Sequence, residues 1–360
     1  MSYSIYGGSI MLRVGLIGAG NISRAHLFGY NRNADVEVVA ISDINEELVK
    51  GRAETFGVKT YYTDYHEILN DKSIDAVSIL TPVFTHRNII IEALRAGKHV
   101  LCEKPPCLSA EEAQECVNVA KEEGKLLMWA FVRLFSSQVT YLKEYVDAGY
   151  AGRIYHGEVV STDPCCMLRS WFINKDLAGG GALIDSTIHM LYPALYLMGY
   201  PKVKSVLGYT NHANTDLPTK IKGRGPGWAS CDNRDYERTV ESVESAMIVF
   251  DNDACLQIKS GHVMFVANEK GGMWLSGDKG GIYYSPAGEV QQISLVNDYL
   301  VESKPVITTP DTMFDNQINH FVDCCQGKAE CIVKPEHGVQ IMQIIDAIYK
   351  SAETGKAVEF

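Results

Sequence analysis

This 360-residue sequence has no apolar run near the roughly 18 residues that a membrane-spanning helix needs. It is also short of basic residues: 33 Lys and Arg stand against 44 Asp and Glu, for a formal charge of −11. Nucleic acids and anionic membranes bind to basic faces, so neither is an expected partner. Ten cysteines are present but no C-x-x-C. Without that spacing no metal site is expected, and a disulfide framework does not suit a chain this long without a secretory signal. The thiols read as reduced, in a cytoplasmic protein, and packed mostly as small hydrophobes. Residues 1–10 carry no basic residue and no long apolar core, so they read as a flexible extension or an upstream start. Internal repeats and low-complexity tracts are missing too. What remains is an ordinary globular composition, 46% hydrophobic and 21% charged, at a length that suggests two domains.

The first regular pattern opens at Met11. Leu12 to Ile17 is a short apolar run of the kind buried in a parallel sheet. Gly18-Ala19-Gly20-Asn21-Ile22-Ser23 follows, and a helix can start next. A glycine turn between strand and helix is the context a dinucleotide fingerprint requires. Gly18 would permit the tight turn and Gly20 the close approach of a pyrophosphate, with the helix N-terminus supplying N–H groups. The third position is Ser23, small but not glycine. A second strand, Val36 to Ser42, ends at Asp43, about 20 residues on, where an acid meets the adenosine ribose hydroxyls. Ile44 and Asn45 cannot hold a 2′-phosphate, which favours NAD over NADP; Arg24 is the residue that argues the other way. Ala76 to Leu80 is another buried strand, stopped by Thr81-Pro82, and ligands bind at the carboxyl ends of such strands. Thr81, Pro82 and His86 are therefore expected along the cofactor cleft. Val100 to Cys102 leads into Glu103-Lys104-Pro105, which aims a lysine from a strand end. A sixth strand is predicted over 126–132, completing a doubly wound parallel sheet.

The second half is organised around Gly179-Gly180-Gly181, a loop able to pass close to a ligand, and the helix formers after it. Asp185 and His189 are four apart, so a helix stacks them on one face. A carboxylate beside an imidazole makes a general base near neutral pH. The plain alternative is a buried helix whose histidine is a satisfied core residue. Pro193 should leave the His189 carbonyl unbonded, with a possible kink. Helices are predicted over 141–148, 311–325 and 335–353. Successive strands are predicted over 153–161, 202–209, 241–250, 254–261, 272–277, 280–285 and 289–294, an α+β pattern. A polar insertion spans 210–238.

Taken in order, the glycine turn with Asp43, Thr81-Pro82 with His86, Glu103-Lys104-Pro105, Gly179 to Asp185 with His189, and the segment from Ala347 to Lys356 resemble the Gfo/Idh/MocA oxidoreductases. The resemblance implies a Rossmann domain over 11–132. It implies a C-terminal substrate-binding and oligomerisation α+β domain over 133–360, with a large, mostly antiparallel open sheet that forms dimers or tetramers. It implies oxidation of a secondary hydroxyl on a sugar, glycoside or cyclitol. His189 would take the hydroxyl proton, Lys104 would steady the same oxygen, and Asp185 would orient His189. Cofactor contacts would come from Gly18, Gly20, Asn21, Ile22, Asp43, Thr81, Pro82, His86, Glu103 and Lys104. Arg169 and Trp171 stand where relatives often contact substrate. Relatives often place an acid three residues after the histidine; Tyr192 stands there. Two other readings stay open: an NAD-dependent glycosidase using transient oxidation at C3, and a dinucleotide-binding sensor without catalysis. Retention of Lys104, Asp185 and His189 argues against the sensor.

Asp43→Arg should weaken NAD and shift the ratio of kcat/KM values toward NADP. An unaltered ratio would remove Asp43 from the ribose pocket.

Overall fold

The computed structural model describes residues 11–164, 168, 170–213, 236–267, 270–310 and 312–360. The 1–10 extension, Arg169, the Cys165-Cys166 pair and most of the 210–238 insertion lie outside the described residues.

In the first half, β1 (Leu12–Ile17), α1 (Asn21–Arg32), β2 (Val36–Ser42), α2 (Glu46–Phe56), β3 (Thr60–Tyr62), α3 (His66–Asn70), β4 (Ala76–Ile79), α4 (His86–Arg95), β5 (His99–Cys102), α5 (Ala110–Glu122) and β6 (Leu127–Trp129) alternate. The strands pair in parallel in the order β3-β2-β1-β4-β5-β6, a doubly wound order that opens a crevice beyond the strand ends. Every residue of β4 is buried, as helices on both faces require. Asn45 caps α2 and Ser109 caps α5, each with two acids in the first turn. By contrast, α1 starts at Gly20 with neither a side-chain cap nor a first-turn acid. β6 is shorter than predicted, because the chain turns into a 3₁₀ segment at Val132–Phe135.

The second half runs through α6 (Ser137–Asp147), β7 (Ile154–Thr162), α7 (Lys175–Ala178), a π turn at Leu183–Thr187, α8 (Ile188–Leu197), β8 (Val203–Asn211), β9 (Val243–Phe250), β10 (Cys255–Gly261), β11 (Gly272–Gly277), β12 (Gly280–Tyr284), β13 (Val290–Val296), β14 (Tyr299–Ser303), α9 (Met313–Cys325), α10 (Pro335–Thr354) and β15 (Val358–Glu359). α6 starts earlier than predicted because the Ser136 side chain caps it. The sheet order is β14-β13-β12-β11-β7-β10-β9-β8-β15, antiparallel except for β7 beside β10. Its covered face packs on α8 and α10. Its outer face leaves Leu207, Tyr209, Met247, Ile293 and Leu295 exposed.

The last helices return to the first domain. Ile318 of α9 packs on Gly29 of α1, where a Cβ would come within 2.8 Å of it. Arg32 and Asp315 pair at 2.8 Å. α10 touches both sheets: Trp129 Nε1 donates to the Pro335 carbonyl at 2.8 Å, and the Gly208 N–H donates to Ser351 Oγ at 2.8 Å.

A Cβ on Gly338 would lie 2.2 Å from Nε1 of the fully buried Trp129. Gly338→Ala gains at most about 1 kcal/mol of helix propensity, less than the roughly 1–3 kcal/mol that overpacking costs. The urea midpoint should therefore fall with an unchanged slope. A midpoint at or above the parent's would show that the indole yields.

Candidate active site

The site forms where the carboxyl ends of the parallel strands meet the π turn. After β1 the chain turns at Gly18, with φ 106°. A Cβ there would lie 2.8 Å from the Leu80 carbonyl carbon and oxygen, so only glycine lets β1 and β4 end side by side. At Gly20 nothing lies within 4 Å of a Cβ position. Open space over this backbone and the uncapped start of α1 fit a pyrophosphate. Ser23, in the third position, is buried and donates to the Gly20 carbonyl at 2.7 Å. Asn21 is exposed and Ile22 half-buried beside the turn.

Asp43 leans on this turn. One carboxylate oxygen accepts from the Ala19 N–H at 2.8 Å and the other from the Asn45 N–H at 2.9 Å. Arg52, which sequence reasoning missed, donates from α2 to the Ala19 and Gly20 carbonyls at 3.2 and 3.3 Å. Burial and the neighbouring Arg24 charge lower its pKa.

Thr81 and Pro82 are half-buried at the end of β4, and the Thr81 and Thr85 hydroxyls bond at 2.7 Å. Two residues expected on the cofactor wall are turned inward instead. Glu103 is buried: one oxygen meets His26 Nε2 at 2.9 Å and the other accepts from the Lys104 N–H at 3.1 Å. His86 is buried with Nε2 2.8 Å from the Thr81 carbonyl and Nδ1 3.0 and 3.2 Å from those of Pro105 and Pro106. Burial lowers its pKa against the upward pull of these carbonyls. Both side chains therefore brace the turn that carries Lys104, whose peptide to Pro105 is cis.

Lys104 crosses to the second domain. Its Nζ lies 2.8 Å from the Asp185 carbonyl oxygen and 3.2 Å from Oδ1. The two side chains are 10% and 12% exposed, enough to meet a ligand. Burial pushes Asp185 up, but Lys104, His262 and His189 outweigh it and hold the carboxyl below its usual range. His262, also missed, directly follows β10, with Nε2 3.0 Å from Ser186 Oγ and 3.7 Å from Asp185 Oδ2.

Asp185 lies in the π turn, where the Ile188 N–H reaches back five residues to the Leu183 carbonyl, and His189 lies in the first turn of α8. The His189 Nδ1 faces the Tyr192 hydroxyl at 3.3 Å. That hydroxyl accepts from the Arg133 N–H at 3.1 Å, and its ring stacks on Phe131 at 4.6 Å. Burial, then the Lys104 and Arg133 charges, push the His189 pKa well below the ordinary value, with Asp185 pulling the other way. The ring is neutral at neutral pH. Pro193 lies inside α8, which continues through it.

The triple glycine is set by packing. A Cβ on Gly180 would lie 1.9 Å from the Tyr349 hydroxyl, and one on Gly181 would lie 2.5 Å from the Glu241 carbonyl. The Glu241 carboxylate accepts from the Gly181 N–H at 2.7 Å. Trp171 stacks on Phe172 at 3.8 Å and meets the edge of Phe84 at 6.2 Å, spanning the cleft between domains.

Strand order, an uncapped glycine turn and a lysine–carboxylate–imidazole cluster at the strand ends define a dinucleotide-binding oxidoreductase. The chain belongs to the Gfo/Idh/MocA oxidoreductase family. The family model described as the NAD-binding Rossmann fold matches residues 12–131, and that of the C-terminal alpha/beta domain matches 143–360. A D-glucoside 3-dehydrogenase of Escherichia coli (strain K12) is 34% identical over 357 residues, 97% of each chain. A myo-inositol 2-dehydrogenase of Thermotoga maritima is 32% identical over 188 residues, 52% of this chain and 55% of the relative. A levoglucosan dehydrogenase in complex with NADH and levoglucosan superposes with a TM-score of 0.81 at 25% identity, covering 97% of this chain and 99% of that one. Among the described residues no helix is long and apolar enough to cross a membrane.

Burial, with the Lys104 and Arg133 charges, implies a His189 titration below its ordinary value of 6.5. Only the neutral ring accepts a proton, so the acid limb of kcat/KM should fall below that value. Lys104→Met removes a depressing charge and should raise the His189 pKa, read by NMR of the imidazole. A limb at or above 6.5 in the parent, or no upward move in the variant, would contradict the assignment.

Proposed function

We propose that this chain is an NAD(H)-dependent dehydrogenase that oxidises a secondary hydroxyl of a sugar, glycoside or cyclitol. The observation that carries the reading is the Lys104 ammonium held on Asp185 beside a neutral His189. An alkoxide-like transition state is stabilised by a base and a cation at one oxygen. Two of the three ammonium hydrogens are engaged by Asp185, and the third is available to the substrate oxygen. With a proton on Nδ1 donated to the Tyr192 hydroxyl, His189 takes the substrate proton at Nε2. Asp185 keeps Lys104 in place and acts on His189 only through its charge. When bound, the dinucleotide supplies the hydride acceptor. Gly18, Gly20 and the start of α1 would hold its pyrophosphate and Asp43 its ribose, which favours NAD. The relative matched across 97% of its length is a glucoside dehydrogenase, which supports a glycoside among the substrates. The exposed apolar outer face of the second sheet supports self-association as a dimer or tetramer, and the reduced thiols support a cytoplasmic setting.

The test supplies NAD with inositols, free hexoses or aryl glucosides, following NADH absorbance and released aglycone together. NADH should accumulate with one class, and Lys104→Met should lower kcat at least about a hundredfold. Aglycone released without net NADH would replace this reading with the transient-oxidation one. An unchanged kcat would take Lys104 out of the mechanism.

A further inference from the structure

A second cluster of reactive side chains lies on α9 and the turn after it. His320 and Cys324 are four apart on α9 and share a face. The chain then reverses at Gly327, with φ 69°, and brings Cys331 back to the same helix end. One ligand atom from each of His320, Cys324 and Cys331 lies within 4.8 Å of the others. His320 Nε2 is 3.4 Å from Cys324 Sγ. A tetrahedral zinc ion holds nitrogen at about 2.0–2.1 Å and sulfur at about 2.3 Å, which places the two ligand atoms roughly 3.5 Å apart.

We propose that His320, Cys324 and Cys331 form a binding site for a divalent, thiol-preferring cation such as Zn²⁺, with water as the fourth ligand. The site shares no residue with the Lys104–Asp185 cluster. Its chemistry is that of a borderline-soft ion, since two sulfurs and an imidazole select against Mg²⁺ and Ca²⁺. Each sulfur binds a cation as the thiolate, so binding releases protons. All three residues are half-buried, which leaves a path for the ion and an open vertex for water. The imidazole is steadied by the Phe135 ring, 5.3 Å away. Two backbone contacts must yield: the Ile332 N–H now points at His320 Nε2 from 3.1 Å, and the Cys331 thiol donates to the Val333 carbonyl at 3.2 Å. The ion would tie the end of α9 to the turn that leads into α10. The spacing H-x₃-C-x₆-C, with no C-x-x-C, hides the cluster from sequence patterns.

The full chain, reduced and stripped with chelator, is titrated with Co²⁺ alone. One equivalent should produce a thiolate-to-cobalt band in the near ultraviolet and tetrahedral bands in the visible, both erased by added Zn²⁺. His320→Ala and Cys331→Ser should each weaken binding at least tenfold. No sulfur band in the parent, or an undiminished one in Cys331→Ser, would overturn the site. Should Cys331→Ser fail to fold, thiol labelling of the parent decides: Zn²⁺ should protect Cys324 and Cys331, and protection of other cysteines instead would overturn the proposal.

Discussion

The Lys104–Asp185 contact is the constraint on which the rest of the site depends. It joins the end of a parallel strand in one domain to a π turn in the other, through both a carboxylate and a backbone carbonyl. Loss of one partner of a buried ion pair commonly costs roughly 3–5 kcal/mol, because the survivor is left charged and unpaired. Much of the surrounding structure keeps the two ends aligned. Glu103 and His86 brace the lysine turn from behind. Glu241 and Tyr349 seat the glycine run before Asp185. These are buried polar groups placed to hold geometry, not to react.

Behind the glycine run lies a second layer of acid. Glu244 is fully buried, and burial together with the neighbouring Glu241 carboxylate raises its pKa well above the usual range. Both effects favour the protonated form of Glu244. Asp185 differs because a lysine and two imidazoles surround it.

The first domain was legible because its signals are local. An apolar run, two glycines and an acid at a fixed distance are enough to place β1, the turn and Asp43. The place of Lys104 just past the end of β5 was legible too. The π turn that carries Asp185 was not legible, because counting four residues to His189 assumes a regular helix. Glu103 and His86 sit in the expected motifs, but their direction is set by His26 and by the carbonyls of Thr81, Pro105 and Pro106. The glycine triplet was read as room for a ligand; Tyr349 and Glu241 explain two of its members. β14 is largely exposed and β15 has two residues, so neither carries a buried pattern to find.

The chain's last two helices set how the domains move. A protein whose halves meet at a single crossing can open like a book. Here α9 is fastened to α1, and α10 to the neighbourhood of β6 and to β8, so the spine is sewn at several points. Any hinge-like widening of the crevice would have to break these contacts.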